Sequence, residues 1–110
     1  MLQNILDNDI LKSLYFTELK MLDLIVNPYA GRGRAKTDAK KVFEILDANN
    51  VKFAPHYTAR KKHATEIAYN LTLSGAKTIV SVGGDGTIHE IVNGIILARR
   101  ELEKQGKPFV

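Results

Sequence analysis

Apolar positions change spacing in a regular way along this chain, and the changes mark out its elements. A near-continuous apolar run of strand length falls at residues 21–26, carrying Leu22, Leu24, Ile25 and Val26, and residues 51–57 and 76–82 also read as strands. Runs of this kind suit strands buried on both faces. Between them the spacing shifts to threes and fours. Ala39, Val42, Phe43 and Leu46 share one face of a helix predicted over residues 35–50, and Ala64, Ile67, Ala68 and Leu71 share a face over residues 61–74, which Gly75 closes. After the third run, Ile88, Ile91, Val92, Ile95 and Ile96 recur at core spacing until Gly106-Lys107-Pro108. Leu2, Ile5, Leu6, Ile10, Leu11, Leu14 and Tyr15 predict a leader helix within residues 1–20, packed on the flank of the domain. Phe109-Val110 reads as the start of a fourth strand, so the sequence stops inside an element.

Strand and helix alternate three times with short connections. That pattern predicts an α/β domain over residues 21–110: a parallel sheet with right-handed crossovers and helices on both faces, three layers in all, incomplete at its C-terminal side. Ligands of such sheets bind beyond the carboxyl ends of the strands. The turns at residues 27–33, at Thr58 and at residues 83–87 all fall on that edge, where one site can use them together.

The third turn reads Gly83-Gly84-Asp85-Gly86-Thr87 and leads directly into a helical pattern. Glycines let a backbone approach a ligand closely, and the N–H groups that open the helix face the same spot, so the turn is suited to an anion such as phosphate. The plainer alternative is a turn that only packs a helix tightly on a sheet. Asp85 argues against that alternative: a carboxylate beside a phosphate is repulsive unless a divalent cation or a hydroxyl partner offsets it. Arg32, Arg34 and Lys36 stand at the mouth of the first turn, either neutralising phosphates or simply solvated.

Composition narrows the classes of partner. In 110 residues, 16 Lys and Arg against 12 Asp and Glu leave a net charge of +4, which fits an anionic ligand or an anionic membrane surface. The basic residues are dispersed and only four Tyr and four Phe could stack bases, so a dedicated nucleic-acid binder is disfavoured. No cysteine is present, which excludes disulfides and thiolate metal sites. No apolar run is long enough to cross a bilayer, and the chain reads as cytoplasmic.

The G-x-G-x-x-G fingerprint fails twice, with Lys36 and His89 at the third glycine position, and no Gly-Lys-Ser/Thr phosphate loop occurs. The second strand ends at Thr58 and three basic residues rather than at the acid that holds a ribose, so a nicotinamide dehydrogenase is disfavoured. Asn27-Pro28-x-x-Gly31 after the first strand, followed by Gly83-Gly84-Asp85-Gly86-Thr87-x-His89-Glu90-x-Val92-Asn93-Gly94 after the third, resembles the diacylglycerol kinase catalytic-domain family, which includes bacterial lipid kinases and sphingosine kinases. The resemblance runs from about residue 21 to residue 110. It implies a Rossmann-like fold shared with NAD kinases and ATP-dependent phosphorylation of a lipid alcohol with Mg2+. By the same resemblance Asn27, Pro28, Tyr29, Ala30 and Gly31 oppose Gly83, Gly84, Asp85, Gly86 and Thr87 around the ATP phosphates. Thr58 reaches the nucleotide, Glu90 supports the site from its helix, and Asp85 acts catalytically through magnesium or a phosphate-side hydrogen bond. His89 is assigned to the substrate side or to structure, while His56 and His63 are read as surface residues. Transient association with a membrane surface and a homo-oligomer are further expectations.

Family members continue into a Gly-Thr-x-Asn-Asp segment and a β-rich domain that supplies the general base. Neither is in this sequence, so the chain reads as the nucleotide-binding portion of a larger enzyme. Two other readings stand beside it: an NAD kinase-like enzyme, favoured by the shared glycine turn, and a non-catalytic nucleotide-binding module.

Overall fold

The structure, a computed structural model, describes residues 21–107; the leader helix and the fourth strand expected from sequence lie outside the described residues. Six elements alternate along the chain: β1 (Leu22–Val26), α1 (Arg34–Ala48), β2 (Phe53–Tyr57), α2 (His63–Leu73), β3 (Ile79–Val82) and α3 (Asp85–Lys104). β1 lies between the other two strands and runs parallel to both, with Val26 opposite Tyr57 on one side and Val82 on the other. Its central place explains its sequence: Leu24, Ile25 and Val26 have no exposed surface at all. β2 is the strand that tolerates Pro55, which lacks a ladder donor and so belongs at an edge.

The order of the strands dictates the layers. A right-handed crossover moving one way across a sheet sets its helix on one face, and a crossover moving back sets its helix on the other. The chain steps outward from β1 to β2 through α1 and then returns past β1 to β3 through α2. Accordingly Leu24, Val26 and Val82 pack with Ala35 and Ala39 of α1, while Ile25 packs on the opposite face with Ala64 and Ala68 of α2 and Ile91 of α3. Phe43 of α1 stacks on Phe53 of β2, ring centroids 5.0 Å apart, and closes the outer end of the first layer. The fold is thus the three-layer α/β arrangement expected.

Two boundaries differ from expectation for a shared reason. All three helices end in the same double turn: the amide of Val51 reaches back to the carbonyl of Leu46, that of Ala76 to Leu71 and that of Lys107 to Leu102, each across a left-handed residue at Asn50, Gly75 or Gly106. Val51 and Ala76 read as strand residues because they are apolar, but they close the preceding helices, so β2 and β3 start later, at Phe53 and Ile79.

The third helix also departs from expectation. It begins at Asp85, so half of the glycine turn is already helical. Of its five regularly spaced aliphatic residues, Ile91 is buried and Ile95 packs on the core, whereas Ile88, Val92 and Ile96 are 50%, 46% and 42% exposed. Positions 91, 95, 98 and 102 make the face that α3 turns to α2 and the sheet; positions 88, 92 and 96 are rotated about 100° from it.

Candidate functional site

All three strands deliver their carboxyl ends to one edge, and backbone hydrogen bonds lock those ends together. The amide of Asn27 donates to the carbonyl of Val82 (2.9 Å), and that of Thr58 to the carbonyl of Val26 (2.9 Å). Because β2 and β3 flank β1 on opposite sides, the order of travel reverses here, and a crevice opens at such a switch point.

Asn27 organises the crevice. Its Oδ1 accepts the amide of Tyr29 (3.2 Å), which folds the loop after β1, and its Nδ2 donates to Oγ1 of Thr87 (3.3 Å) in the first turn of α3. Thr87 is buried, and room for it comes from Gly83: a Cβ there would stand 2.5 Å from Thr87 Oγ1 and 2.9 Å from its Cβ. The sequence motif thus spaces Gly83 and Thr87 so that a β-branched side chain fits under a bare backbone.

Two hollows flank this bridge. The larger, about 230 Å3, is lined by Asn27, Tyr29, Thr58, Thr87 and Glu90 together with Ala59, Arg60, Lys61 and Ala64. The smaller, about 160 Å3, lies between Ala30 and Gly31 on one side and Gly83 and Gly84 on the other, with Arg34, Ala35 and Asp38 beside it. Nine of the twelve residues expected from sequence therefore line one hollow or the other. Pro28, Asp85 and Gly86 line neither; Asp85 is exposed at the start of α3. Among the three basic residues at the first turn, Arg34 lines a hollow, and Arg32 and Lys36 do not. Sequence reasoning missed Arg60 and Lys61 as lining residues, although the basic run after Thr58 was their signal.

The donors differ between the turns. Residues 31–33 all take positive φ (64°, 59° and 93°), and the amides of Gly33, Arg34, Ala35 and Lys36 are consumed within that loop and the start of α1. At α3, by contrast, Gly84 gives no side-chain cap, and the amides of Asp85 and Gly86 have no acceptor among the described residues. They are the donors an anion would meet.

Glu90 is partly committed: its Oε2 accepts the amide of Lys62 (3.1 Å), and its backbone carbonyl accepts Oγ1 of Thr65 (2.9 Å). Arg60 pairs with Glu66 at 2.7 Å, and that hydrogen bond, with the guanidinium charge, holds the Glu66 carboxyl below the usual carboxylate range. A depressed carboxyl contributes stability above its unfolded pKa and loses it as pH falls through the folded value. We therefore expect the difference in melting temperature between the wild type and Glu66→Gln to be present at pH 7 and to be lost as pH falls through and below the ordinary glutamate range. His56 is a further revision: it sits half-buried with Nε2 2.9 Å from Oδ1 of Asp23, joining β2 to β1 rather than lying free on the surface.

Both hollows are smaller than the roughly 300–1,000 Å3 of a small-molecule pocket. No group of three or more His, Asp or Glu side chains could hold a metal ion among the described residues.

Comparison with known proteins gives the family. The family model for the diacylglycerol kinase catalytic domain matches residues 21–106. Human sphingosine kinase 2 is 39% identical over 74 residues, covering 66% of this chain and 11% of that protein. The diacylglycerol kinase of Bacillus subtilis is 32% identical over 77 residues, covering 70% of this chain and 25% of its own length. A crystal structure from Bacillus anthracis str. Sterne, assigned provisionally as a diacylglycerol kinase, superposes with a TM-score of 0.60 at 33% identity over 69% of this chain and 26% of its own. The chain thus spans between 11% and 26% of the length of these relatives. Matched by the family model over residues 21–106, it belongs to the diacylglycerol kinase catalytic-domain family.

Proposed function

We propose that this chain is the nucleotide-binding part of an ATP-dependent lipid kinase, which transfers the γ-phosphoryl group to the hydroxyl of a lipid alcohol. The observation that carries the reading is the convergence of three separate loops on the switch point of a sheet whose relatives are named as sphingosine and diacylglycerol kinases.

Phosphoryl transfer asks little covalent chemistry of the protein and much positioning and charge compensation. The amides of Asp85 and Gly86 and the side chains of Arg34, Arg60 and Lys61 supply the compensation. Asn27, through its two hydrogen bonds, fixes the distance between the opposing walls. In this reading Asp85 is the carboxylate that would share a magnesium ion with the phosphates, since Mg2+ is commonly held by one or two carboxylates plus phosphate oxygens. When bound, magnesium would neutralise charge on the phosphate oxygens. In this reading the enzyme works from the cytoplasm and meets the membrane surface only transiently. No helix among the described residues is long and apolar enough to cross a membrane.

The test is phosphate transfer from labelled ATP by the whole parent protein, offered a panel of lipid alcohols and, separately, NAD. We expect a labelled lipid and a requirement for Mg2+. Labelled NAD with no labelled lipid would overturn the proposal in favour of an NAD kinase-like enzyme.

A further inference from the structure

His63 has no place in the reading above, yet it holds the loop that forms one side of the larger hollow. Its Nδ1 accepts the backbone amide of Ala59 at 2.8 Å, which places the ring proton of the neutral imidazole on Nε2. The loop between Thr58 and α2 needs such a tie. It contains no glycine, and Lys62, at its end, is forced to a φ of 65°, where a side chain is strained. Lys62 also caps α2 without a side-chain hydrogen bond, and at the helix start the loop's own backbone adds the His63 amide donating to the Arg60 carbonyl (3.2 Å). Three groups outside its backbone hold it as well: His63 on Ala59, Glu66 on Arg60 and Glu90 on Lys62. Of these, only the His63 contact grips the residue next to Thr58, where the loop leaves the sheet and enters the hollow.

We infer that His63 is a positioning residue for the nucleotide: by accepting the Ala59 amide it sets the path of residues 59–62 and so places Arg60 and Lys61 against the ligand. The inference rests on the nucleotide reading of the site and assigns His63 no contact with the ligand. Its geometry also names the rescue, since an asparagine Oδ1 lies close to where a histidine Nδ1 stands and accepts the same amide.

The experiment compares the wild-type chain with His63→Ala and His63→Asn, reading backbone amide hydrogen exchange and the affinity for magnesium-ATP by NMR titration. In His63→Ala we expect exchange to quicken at residues 59–62 but not in β1, and the affinity to fall about fivefold, the factor given by one ordinary hydrogen bond. His63→Asn is expected to restore both to within about twofold of wild type. Unchanged exchange at Ala59 in His63→Ala overturns the inference whatever the nucleotide does. So does quickened exchange with unchanged affinity, or an equal loss in both variants. A wild-type chain that shows the Ala59 protection but no response to magnesium-ATP overturns the nucleotide reading, and the positioning role with it.

Discussion

Replacing Gly94 by alanine is expected to destabilise the domain by about 3 kcal/mol, although alanine is the better helix former by up to about 1 kcal/mol. The reason lies in how closely α3 approaches α2. A Cβ at position 94 would collide with the carbonyl oxygen of Thr65 and would stand 3.0 Å from both the Cβ of Ala68 and the amide nitrogen of Tyr69. Two of these three neighbours are backbone atoms, which cannot rotate away as a side chain can. The helices would have to part, and they are held at that level by Ala64, Ala68 and Ala98, all essentially without exposed surface, and by the Thr65 hydroxyl bound to the Glu90 carbonyl. Parting them would also loosen Ile25 and Ile91 from the same apolar cluster. Domains of this size have a total stability of only about 5–15 kcal/mol, so the loss should lower the melting temperature by roughly 10–20 °C. Gly86→Ala is the control within the same helix. Nothing lies within 4 Å of its added Cβ, and no comparable loss of stability is expected there. Thermal and urea unfolding of the two variants measure the difference; a Gly94→Ala chain as stable as wild type would mean that the two helices do not meet as described.

Gly94 also shows which part of the architecture could be read from the residues and which could not. The motif that ends in Val92-Asn93-Gly94 carries the family resemblance, and sequence alone gave no reason to separate its site residues from its packing residues. The structure separates them: Gly83 and Thr87 shape the crevice, while Gly94 seats one helix on another. Strand order was legible to the level of a parallel sheet because Leu24, Ile25 and Val26 leave no polar face for solvent. The facing of α3 was not legible, because Ile88, Ile91, Val92, Ile95 and Ile96 spread over an arc of about 140°, wider than the face the helix buries, and spacing alone does not say which side of that arc meets the core. Helix ends were misplaced where an apolar residue closes the final turn, as Val51 and Ala76 do. The candidate site was largely legible because its residues are local to three turns. His63 was not, since its role depends on a loop conformation that no spacing encodes, and the pairing of His56 with Asp23 depends on the register of two strands 33 residues apart in sequence.

Asp85→Asn in the whole parent enzyme is expected to lower the rate of phosphate transfer about 100- to 1,000-fold, the loss typical of removing one preorganised electrostatic group. The same substitution should barely alter stability. Asp85 is exposed in the first turn of α3, where a carboxylate gains about 0.3–1 kcal/mol from the helix N-terminus, so the melting temperature should fall by only a few degrees. The two readouts therefore separate a functional carboxylate from one that merely suits its helix end. The sign of the metal dependence separates them further. In the absence of a divalent cation the carboxylate stands beside the amides of Asp85 and Gly86 and repels a phosphate there, so Asp85→Asn should bind ATP without magnesium at least as well as wild type. With magnesium the order should reverse, because the variant loses the group that shares the ion with the phosphates. Titrations of ATP with and without Mg2+, set against the transfer rate, measure all three quantities. A variant that keeps its rate within tenfold of wild type, or that shows no reversal with Mg2+, would remove Asp85 from the catalytic assignment and leave the Gly83–Thr87 turn with its backbone donors alone.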